Sequence, residues 1–277
     1  MIPNNIIEEH KILKSTVVVP ARKMMLIVVT CFFLTIMTSF ASRPKILCLH
    51  GGGQSVSSMK GMTRDLVDAL PEFEFIFASA SSAGSLWIQD PPGGKGQPTT
   101  DPSWADTSIT ILDGIVESQG PFYGILGYSQ GAAFVPVYLS KRKQNNGFEI
   151  AVTFCGYLTT THTGLLEGVN DQSPFNIQHL VWMGAKDTII SNDMTIDMST
   201  KFTNPTIVLS TVGAHAPPDT TDPTFDEIVL WIRQKYNNVT SPTITPTITS
   251  SGYNSRFLYL TNITIIIIII TSFVLTR

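Results

Sequence analysis

The sequence predicts an α/β protein built on a mostly parallel sheet of about six strands, with helices on both faces. Between residues 43 and 236, short apolar runs alternate with longer runs whose apolar residues recur at helical spacing. The first run, 45–50 (KILCLH), ends at three glycines, which is typical of a buried parallel strand. Strands that alternate with helices form parallel sheets joined by right-handed crossovers.

The predicted elements follow one another along this region. The strands are compact apolar runs, at 45–50, 74–78, 122–128, 149–154, 179–183 and 206–210. The helices carry apolar residues three and four positions apart, at 58–70, 105–117, 130–142, 192–200 and 224–235. Residues 79–103 form an irregular segment rich in Gly, Pro and Ser, and structureless loops of that length are usually functional. We expect this segment to cover a substrate pocket.

The composition argues against several kinds of partner and site. The chain has 277 residues and a formal net charge of −3, and no cluster of Lys and Arg forms a phosphate-binding footprint, so we expect no nucleic-acid binding. Cys31, Cys48 and Cys155 lie in apolar segments, and no CxxC or HxxxH spacing occurs. We therefore expect buried free thiols, with neither a disulfide framework nor a metal site.

The amino-terminal segment, 1–42, is predicted to be a signal peptide or a signal anchor. Residues 24–42 are uncharged and largely apolar, between Lys23 and Arg43. Residues 39–41 (SFA) give the small-x-small pattern of a signal-peptidase site. The chain that follows, 43–237, contains the alternating strands and helices and is the predicted catalytic domain.

The carboxyl-terminal end is predicted to attach the protein to a membrane. Residues 238–252 form a Ser/Thr/Pro-rich stalk that begins with an N-glycosylation sequon, NVT. Residues 253–277 are predicted to be either a hydrophobic anchor or a GPI-attachment signal, because an uncharged apolar tail follows a group of small residues. The two ends together predict the secretory pathway, with the protein attached to a membrane or at the cell surface through one or both termini.

Residues 127–131 (GYSQG) match the pattern G-x-S-x-G, after a predicted strand and before a predicted helix. A nucleophile on such a strained turn needs small neighbours, so that the backbone closes tightly and the hydroxyl stays accessible. The pentapeptide alone is expected by chance about 0.1 times in a chain of this length, so the setting carries the prediction. Ser129 is the candidate nucleophile, and a glycine-rich turn with a capping serine is the alternative.

A cluster of glycines ends the first predicted strand. In sites of this kind the oxyanion hole takes one N–H from the residue after the nucleophile and one from a glycine-rich loop. The expected donors are therefore Gln130 and Gly52, with Gly51 as the nearest alternative. We expect His50, which precedes these glycines, to be structural rather than a base.

His215 is the candidate general base. It follows the last predicted strand and precedes the last helix, so it is expected at the carboxyl edge of the sheet, where ligands bind in such folds. The competitors are His162 in a loop and His179 at the start of a strand. His10 lies before the apolar amino-terminal segment.

Asp187 is the candidate acid, which would hold the imidazole tautomer and stabilise the imidazolium. It follows the strand predicted at 179–183 and lies at the same edge of the sheet. Asp193 is the alternative, although a residue at the start of the helix predicted at 192–200 more often caps that helix.

Several blocks of this sequence resemble the FSH-type serine hydrolases of the α/β-hydrolase superfamily. The resemblance spans about 44–231 and is carried by KILCLHGGGQS (45–55), GPFYGILGYSQGAAF (120–134), FCGYL (154–158), GAKDTIIS (184–191) and GAHAPP (213–218). The triad of the family corresponds to Ser129, Asp187 and His215, in agreement with the prediction from the residues themselves.

The resemblance implies an esterase or thioesterase that acts on small acyl substrates through an acyl-serine intermediate and uses no cofactor. Leu86, Trp87, Trp104 and Phe134 are candidates to line an apolar acyl pocket. Two features depart from the family: the apolar ends, since most members are cytoplasmic, and Gly53, which replaces a bulkier residue. The alternative function is a catalytically silent surface protein that uses the hydrolase fold for binding.

Overall fold

The computed structural model describes residues 42–80, 85–142 and 147–240. In these residues six strands form one parallel sheet, in the order β2-β1-β3-β4-β5-β6. The strands are β1 (Lys45–Leu49), β2 (Glu74–Ala78), β3 (Gly124–Tyr128), β4 (Ile150–Phe154), β5 (Gln178–Gly184) and β6 (Thr206–Ser210). The predicted fold class is confirmed.

Helices connect the strands and follow the predicted alternation, with two differences. They are α1 (Val56–Met62), α2 (Arg64–Ala69), α3 (Asp106–Gln119), α4 (Gln130–Lys141), α5 (Thr163–Gln172), α6 (Asn192–Ser199) and α7 (Phe225–Thr240), with a 3₁₀ turn at Pro102–Ala105. The helix predicted at 58–70 is two helices, because the backbone leaves the helical conformation at Thr63 (φ −103°, ψ 10°), whose hydroxyl donates to the Met59 carbonyl. Helix α5 was not predicted, since glycines interrupt its apolar pattern.

Apolar side chains pack against both faces of the sheet. Leu47 and Leu49 of β1 belong to the cluster on one face, and Ile46 and Cys48 belong to the cluster on the other. This alternation follows from the two-residue period of a strand. Burial of each large aliphatic side chain contributes about 1.5–3 kcal/mol, so the two clusters hold the helices on the sheet.

The carboxyl ends of the strands lie together at one edge because every pairing is parallel. At this edge the start of α4 packs closely against the end of β1. A Cβ atom on Gly131 would lie 2.4 Å from the carbonyl oxygen of Leu49, which only glycine permits. The contact brings the glycine cluster after β1 beside the turn that contains Ser129.

The last described helix runs past residue 237. Helix α7 extends to Thr240, three residues past the expected end at 237 and through the whole sequon. Apart from these residues and Ser42, the predicted signal segment 1–42, stalk 238–252 and tail 253–277 lie outside the described residues. Among the helices that the structure describes, none combines the length and apolar character required to cross a membrane.

Candidate active site

Ser129 lies on a tight turn between β3 and α4, with φ of 52°, a backbone conformation that residues with a side chain rarely adopt. The glycines of the motif make the turn possible. A Cβ atom on Gly127 would lie 2.6 Å from the Cα of Ala132, and the close contact of Gly131 with β1 is similar. The sequence pattern G-x-S-x-G is therefore explained by two close backbone contacts on either side of the strained serine.

The structure brings together Ser129, His215 and Asp187, the three residues that the sequence singled out. The Nε2 atom of His215 lies 3.0 Å from the hydroxyl oxygen of Ser129. Its Nδ1 atom lies 2.7 Å from a carboxylate oxygen of Asp187. Since the carboxylate only accepts, Nδ1 carries the proton and Nε2 is left to accept from the serine. The imidazole is thus oriented as a base toward the hydroxyl.

Asp187 is held as an anion in a nearly inaccessible place, with 2% of its side chain exposed. The N–H groups of Ile189 and Ile190 each donate to its second oxygen at 2.9 Å. Burial opposes ionisation, but the hydrogen bonds from His215 and these two N–H groups outweigh it and hold the pKa of Asp187 below its usual value.

Asp193, the alternative acid, lies in the first turn of α6. Among the described residues, the carboxylate that bonds His215 is that of Asp187 and not that of Asp193. Asp193 is also not the helix cap that the sequence suggested. The cap is Ser191, whose hydroxyl accepts from the N–H of Met194. The prediction that a residue at the start of α6 caps the helix is correct, but the capping residue is Ser191 and not Asp193.

Gly52 and Gln130 lie beside one another and beside Ser129, as expected for the oxyanion hole. A Cβ atom on Gly52 would lie 3.2 Å from side-chain atoms of Gln130, and all three residues line one pocket. The alternative donor, Gly51, gives its N–H to the side chain of Gln54 at 3.2 Å. Gly52 is thus better placed than Gly51 to bond a substrate oxygen.

His50 holds the loop that contains these glycines. Its Nδ1 atom lies 2.8 Å from the Gly51 carbonyl oxygen, and its Nε2 atom accepts from the N–H of Ala80 at 3.1 Å. The contacts fix a neutral imidazole, and burial lowers the pKa of His50 below its usual value. The structural role predicted for this residue agrees with these contacts.

A pocket of about 300 Å³ opens from Ser129. Its apolar wall includes Leu86, Ile88 and Met194, and its polar wall includes Tyr157 and the segment 159–162. Leu86 was predicted to line this pocket.

The aromatic residues predicted beside Leu86 are placed differently. Trp87 and Phe134 are fully buried, and their rings stack at 5.6 Å, so they support the wall from the core. Among the described residues, Trp104 is not one of those that line the pocket, and its indole N–H donates to the Thr99 hydroxyl.

Two polar side chains hold this wall, a role that the sequence analysis did not predict for either of them. The Gln130 side chain accepts from the N–H of Trp87 at 2.9 Å and donates to the Ile88 carbonyl at 3.0 Å. His162 lies 2.9 Å from the carbonyl oxygen of Gln89 through Nε2, which must be protonated to make this bond. These partners are 42 to 73 residues apart, so no local pattern could have revealed them.

Cys155 lies next to the triad. Among the described residues, Cys155, Asp187 and His215 form the single group of potential metal ligands, with atoms within 4.8 Å of one another. Two of them already bond each other, and burial raises the pKa of the Cys155 thiol, which keeps it protonated. Cys48 and Cys155 are free and buried, as predicted, whereas Cys31 lies outside the described residues.

Comparison with known proteins gives several esterases and one larger protein with a different name. An esterase of Caenorhabditis elegans is 27% identical over 198 residues, which cover 64% of this chain and 89% of that protein. An esterase of Drosophila melanogaster is 30% identical over 193 residues, 62% of this chain and 68% of that protein. A rhodanese-like domain-containing protein of Arabidopsis thaliana is 34% identical over 144 residues, which cover 40% of this chain and only 25% of that protein.

Solved structures share the fold at low sequence identity. The Zea mays acyl-protein thioesterase 2 has a TM-score of 0.53 and 18% identity, over 70% of this chain and 94% of its own. The esterase PE8 has a TM-score of 0.51 and 16% identity, over 70% and 93%. A family model described as serine hydrolase (FSH1) matches residues 37–224, well over half of the chain. The chain therefore belongs to the FSH1 serine hydrolase family.

Proposed function

We propose that this protein hydrolyses a small carboxylic ester or acyl thioester through an acyl intermediate on Ser129. The observation that carries the proposal is the continuous set of contacts from Ser129 through His215 to Asp187, at 3.0 and 2.7 Å. Both distances suit proton transfer and orientation of the base without rearrangement. The esterase names of the relatives support the same reaction class.

The first half of the reaction acylates the serine. The Ser129 oxygen attacks the carbonyl carbon while Nε2 of His215 takes its proton, and Asp187 stabilises the imidazolium that forms. The negative charge on the tetrahedral oxygen is met by the N–H groups of Gly52 and Gln130. Collapse of this intermediate breaks the bond to the alcohol or thiol, which leaves with the proton returned from His215.

The second half releases the acid. Water attacks the acyl carbon as His215 accepts one of its protons, and the same two N–H groups stabilise the oxyanion. The bond to the Ser129 oxygen then breaks, and His215 returns the proton to the serine. The products are a carboxylic acid and the free enzyme.

The pocket supports a small acyl group as the substrate class. Its volume of about 300 Å³ is at the lower end of the range for small-molecule sites. Leu86, Ile88 and Met194 offer apolar contact next to the serine. We expect kcat/KM across a series of p-nitrophenyl esters from two to sixteen carbons to rise to a maximum at medium chain length and then to fall.

Fluorophosphonate labelling of the full-length chain tests the proposed reaction directly. The activated serine oxygen displaces fluoride from phosphorus, so labelling is expected in the parent and is lost in Ser129→Ala and His215→Ala. Both variants are compared with the parent by circular dichroism, to show that they fold. A folded parent that does not label and hydrolyses no ester in the series would reject catalysis and favour the silent binding protein.

We also propose that the chain enters the secretory pathway and is attached to a membrane through its ends. Support comes from the sequence alone, namely the apolar segments within 1–42 and 253–277 and the polar segment 238–252. Release from cells by phosphatidylinositol-specific lipase would support a GPI anchor, and retention in carbonate-washed membranes would support a spanning helix. Recovery of all the protein in the soluble cytoplasmic fraction would reject both forms of attachment.

A further inference from the structure

Two adjacent strands end in residues that reach beneath the loop of His215. Tyr128 is the last residue of β3, and Cys155 directly follows β4. Tyr128 pairs in register with Phe154, so the two side chains start from neighbouring positions at the same edge of the sheet. Both are buried, with 3% and 0% exposed, and neither has a step in the proposed reaction.

Both side chains donate to consecutive carbonyl groups of that loop. The Tyr128 hydroxyl donates to the carbonyl oxygen of His215 at 2.7 Å. The Cys155 thiol, a weak donor, donates to the carbonyl oxygen of Ala214 at 3.7 Å, and its sulfur also lies within 4.8 Å of a carboxylate oxygen of Asp187. The tyrosine ring also packs 5.3 Å from the imidazole. Hydrogen bonds from Tyr128 and Cys155 therefore hold the backbone on both sides of the His215 Cα atom.

The surroundings keep both donors protonated. Burial, together with the negative charge of Asp187, raises the pKa of the Tyr128 phenol and of the Cys155 thiol. Tyr128, Cys155 and Asp187 are ionisable groups that lie against His215 itself, whereas Asp65, Asp219 and Asp222 lie beside other residues of the loop. A neutral donor beside the Asp187 carboxylate adds no second negative charge to the site.

The backbone of Cys155 is strained in the same way as that of Ser129. Their φ angles are 51° and 52°, in the left-handed region that favours glycine. Residues held in such backbone conformations cluster at functional sites. At Cys155 it makes the contact with the Ala214 carbonyl, and at Ser129 it meets His215.

We infer that Tyr128 and Cys155 are positioning residues, which hold the loop of His215 so that Nε2 stays within hydrogen-bond distance of Ser129. The inference rests on the proposed function, because it assigns a role through His215. The proposed role is geometric. Loss of either donor lets the imidazole move out of hydrogen-bond distance of Ser129, which slows acylation and leaves substrate binding intact. Since the phenol bond is shorter and stronger than the thiol bond, Tyr128 has the larger effect.

The test compares single-atom changes with matched controls in the full-length chain. Tyr128→Phe removes only the hydroxyl, and we expect kcat on a p-nitrophenyl ester to fall about tenfold while KM changes less than about twofold. Tyr123→Phe removes another buried phenol oxygen, one with no partner among the described residues, and should leave both constants near the parent values. A purely structural role would instead lower the melting temperature without this split between kcat and KM.

The thiol is tested in the same assay. Cys155→Ala is expected to lower kcat about threefold, and Cys155→Ser, which keeps a donor, is expected to recover most of it. Cys48→Ala is the control, because Cys48 is also buried and, within the part of the chain that the structure describes, its thiol bonds the Ile46 carbonyl of its own strand alone. Parent-like kcat in both Tyr128→Phe and Cys155→Ala, or equal losses in the two controls, would overturn the inference. Failure of the proposed function is recognised separately, since the parent itself would then show no turnover.

Discussion

On one side of Ser129 the triad residues follow the ends of strands, whereas on the other side the pocket wall is a long loop held by side chains. Asp187 and His215 lie three to five residues beyond β5 and β6, and backbone N–H groups bond the carboxylate. The wall at 86–89 is tied instead to Gln130 and His162. The sheet therefore fixes the positions of Asp187 and His215, whereas a few side-chain hydrogen bonds fix the position of the pocket wall.

This difference predicts separate kinetic effects. Changes on the triad side should reduce kcat, because they alter the proton transfer and charge stabilisation in the transition state. Changes on the wall side should raise KM, because they loosen the surface that binds the acyl group. Variants that move both constants together would show that the two sides are coupled.

The largest effect is expected for Asp187→Asn. The amide cannot hold the required imidazole tautomer or stabilise the imidazolium, so kcat at pH 7 should fall about 10⁴-fold with KM little changed. Steady-state ester hydrolysis measures this loss. Asp193→Asn is the control, and a larger loss there than at Asp187 would show that the acid has been assigned to the wrong residue.

The wall is tested by Gln130→Ala. This change keeps the backbone N–H of the oxyanion hole but removes the bonds to Trp87 and Ile88. Two lost hydrogen bonds of about 1 kcal/mol each, about 2 kcal/mol together, predict a rise in KM of at most about thirtyfold, with kcat reduced less than about threefold. Gln119→Ala, on the exposed surface of α3, controls for the substitution itself. A kcat loss larger than the KM change would contradict the division between the two sides.

The pH dependence of folding stability must be known before the pH dependence of activity is compared between the two sides. Burial lowers the pKa of His179 from 6.5 to about 3. Between these values the unfolded chain binds a proton that the folded chain does not, so stability is complete above pH 6.5 and is lost as the pH falls.

The expected decrease in the free energy of unfolding approaches about 1.4 kcal/mol per pH unit below 6.5, and His50 acts in the same direction. Urea unfolding at pH 7, 6 and 5 measures it. In the parent, Nε2 of His179 lies 2.9 Å from the Thr153 hydroxyl oxygen. The His179→Gln variant keeps a polar group for this bond but does not titrate, so its stability should depend less on pH. Equal slopes for the parent and this variant would show that His179 is not the cause.

The smallest effect on activity is expected for Ser191→Ala, which removes the N-cap of α6. Ser191 lies between the loop that contains Asp187 and Met194, which lines the pocket. Loss of an N-cap costs about 1 kcal/mol of folding stability, while kcat and KM should remain near the parent values. Thermal unfolding and ester hydrolysis are measured together. A fall in kcat here would mean that the end of α6 controls the position of Asp187, and Thr200→Ala at the other end of the helix serves as the comparison.

The fold could be predicted from the sequence because its strands are short apolar runs whose period and length leave few alternatives. Departures occurred where the backbone at one residue or tertiary packing decided the outcome. The backbone leaves the helical conformation at Thr63 and separates α1 from α2, and α5 forms although Gly164 and Gly168 weaken its helical pattern. Packing against α4 gives α5 its buried face at Leu165 and Val169, and a window of sequence does not contain that information.

The amino-acid sequence by itself determined three things: the alternation of strands and helices along the chain, the glycines that permit the turn at Ser129, and the positions of Asp187 and His215 just after their strands. These follow from local sterics and from the rule that parallel strands share one carboxyl edge. Only the tertiary structure decided that Gln130 holds the wall, that Ser191 rather than Asp193 caps α6, and that Tyr128 bonds the His215 carbonyl. The bonds to Trp87, Ile88 and His215 join residues 42 to 87 positions apart, and such distances are set by packing of the whole sheet.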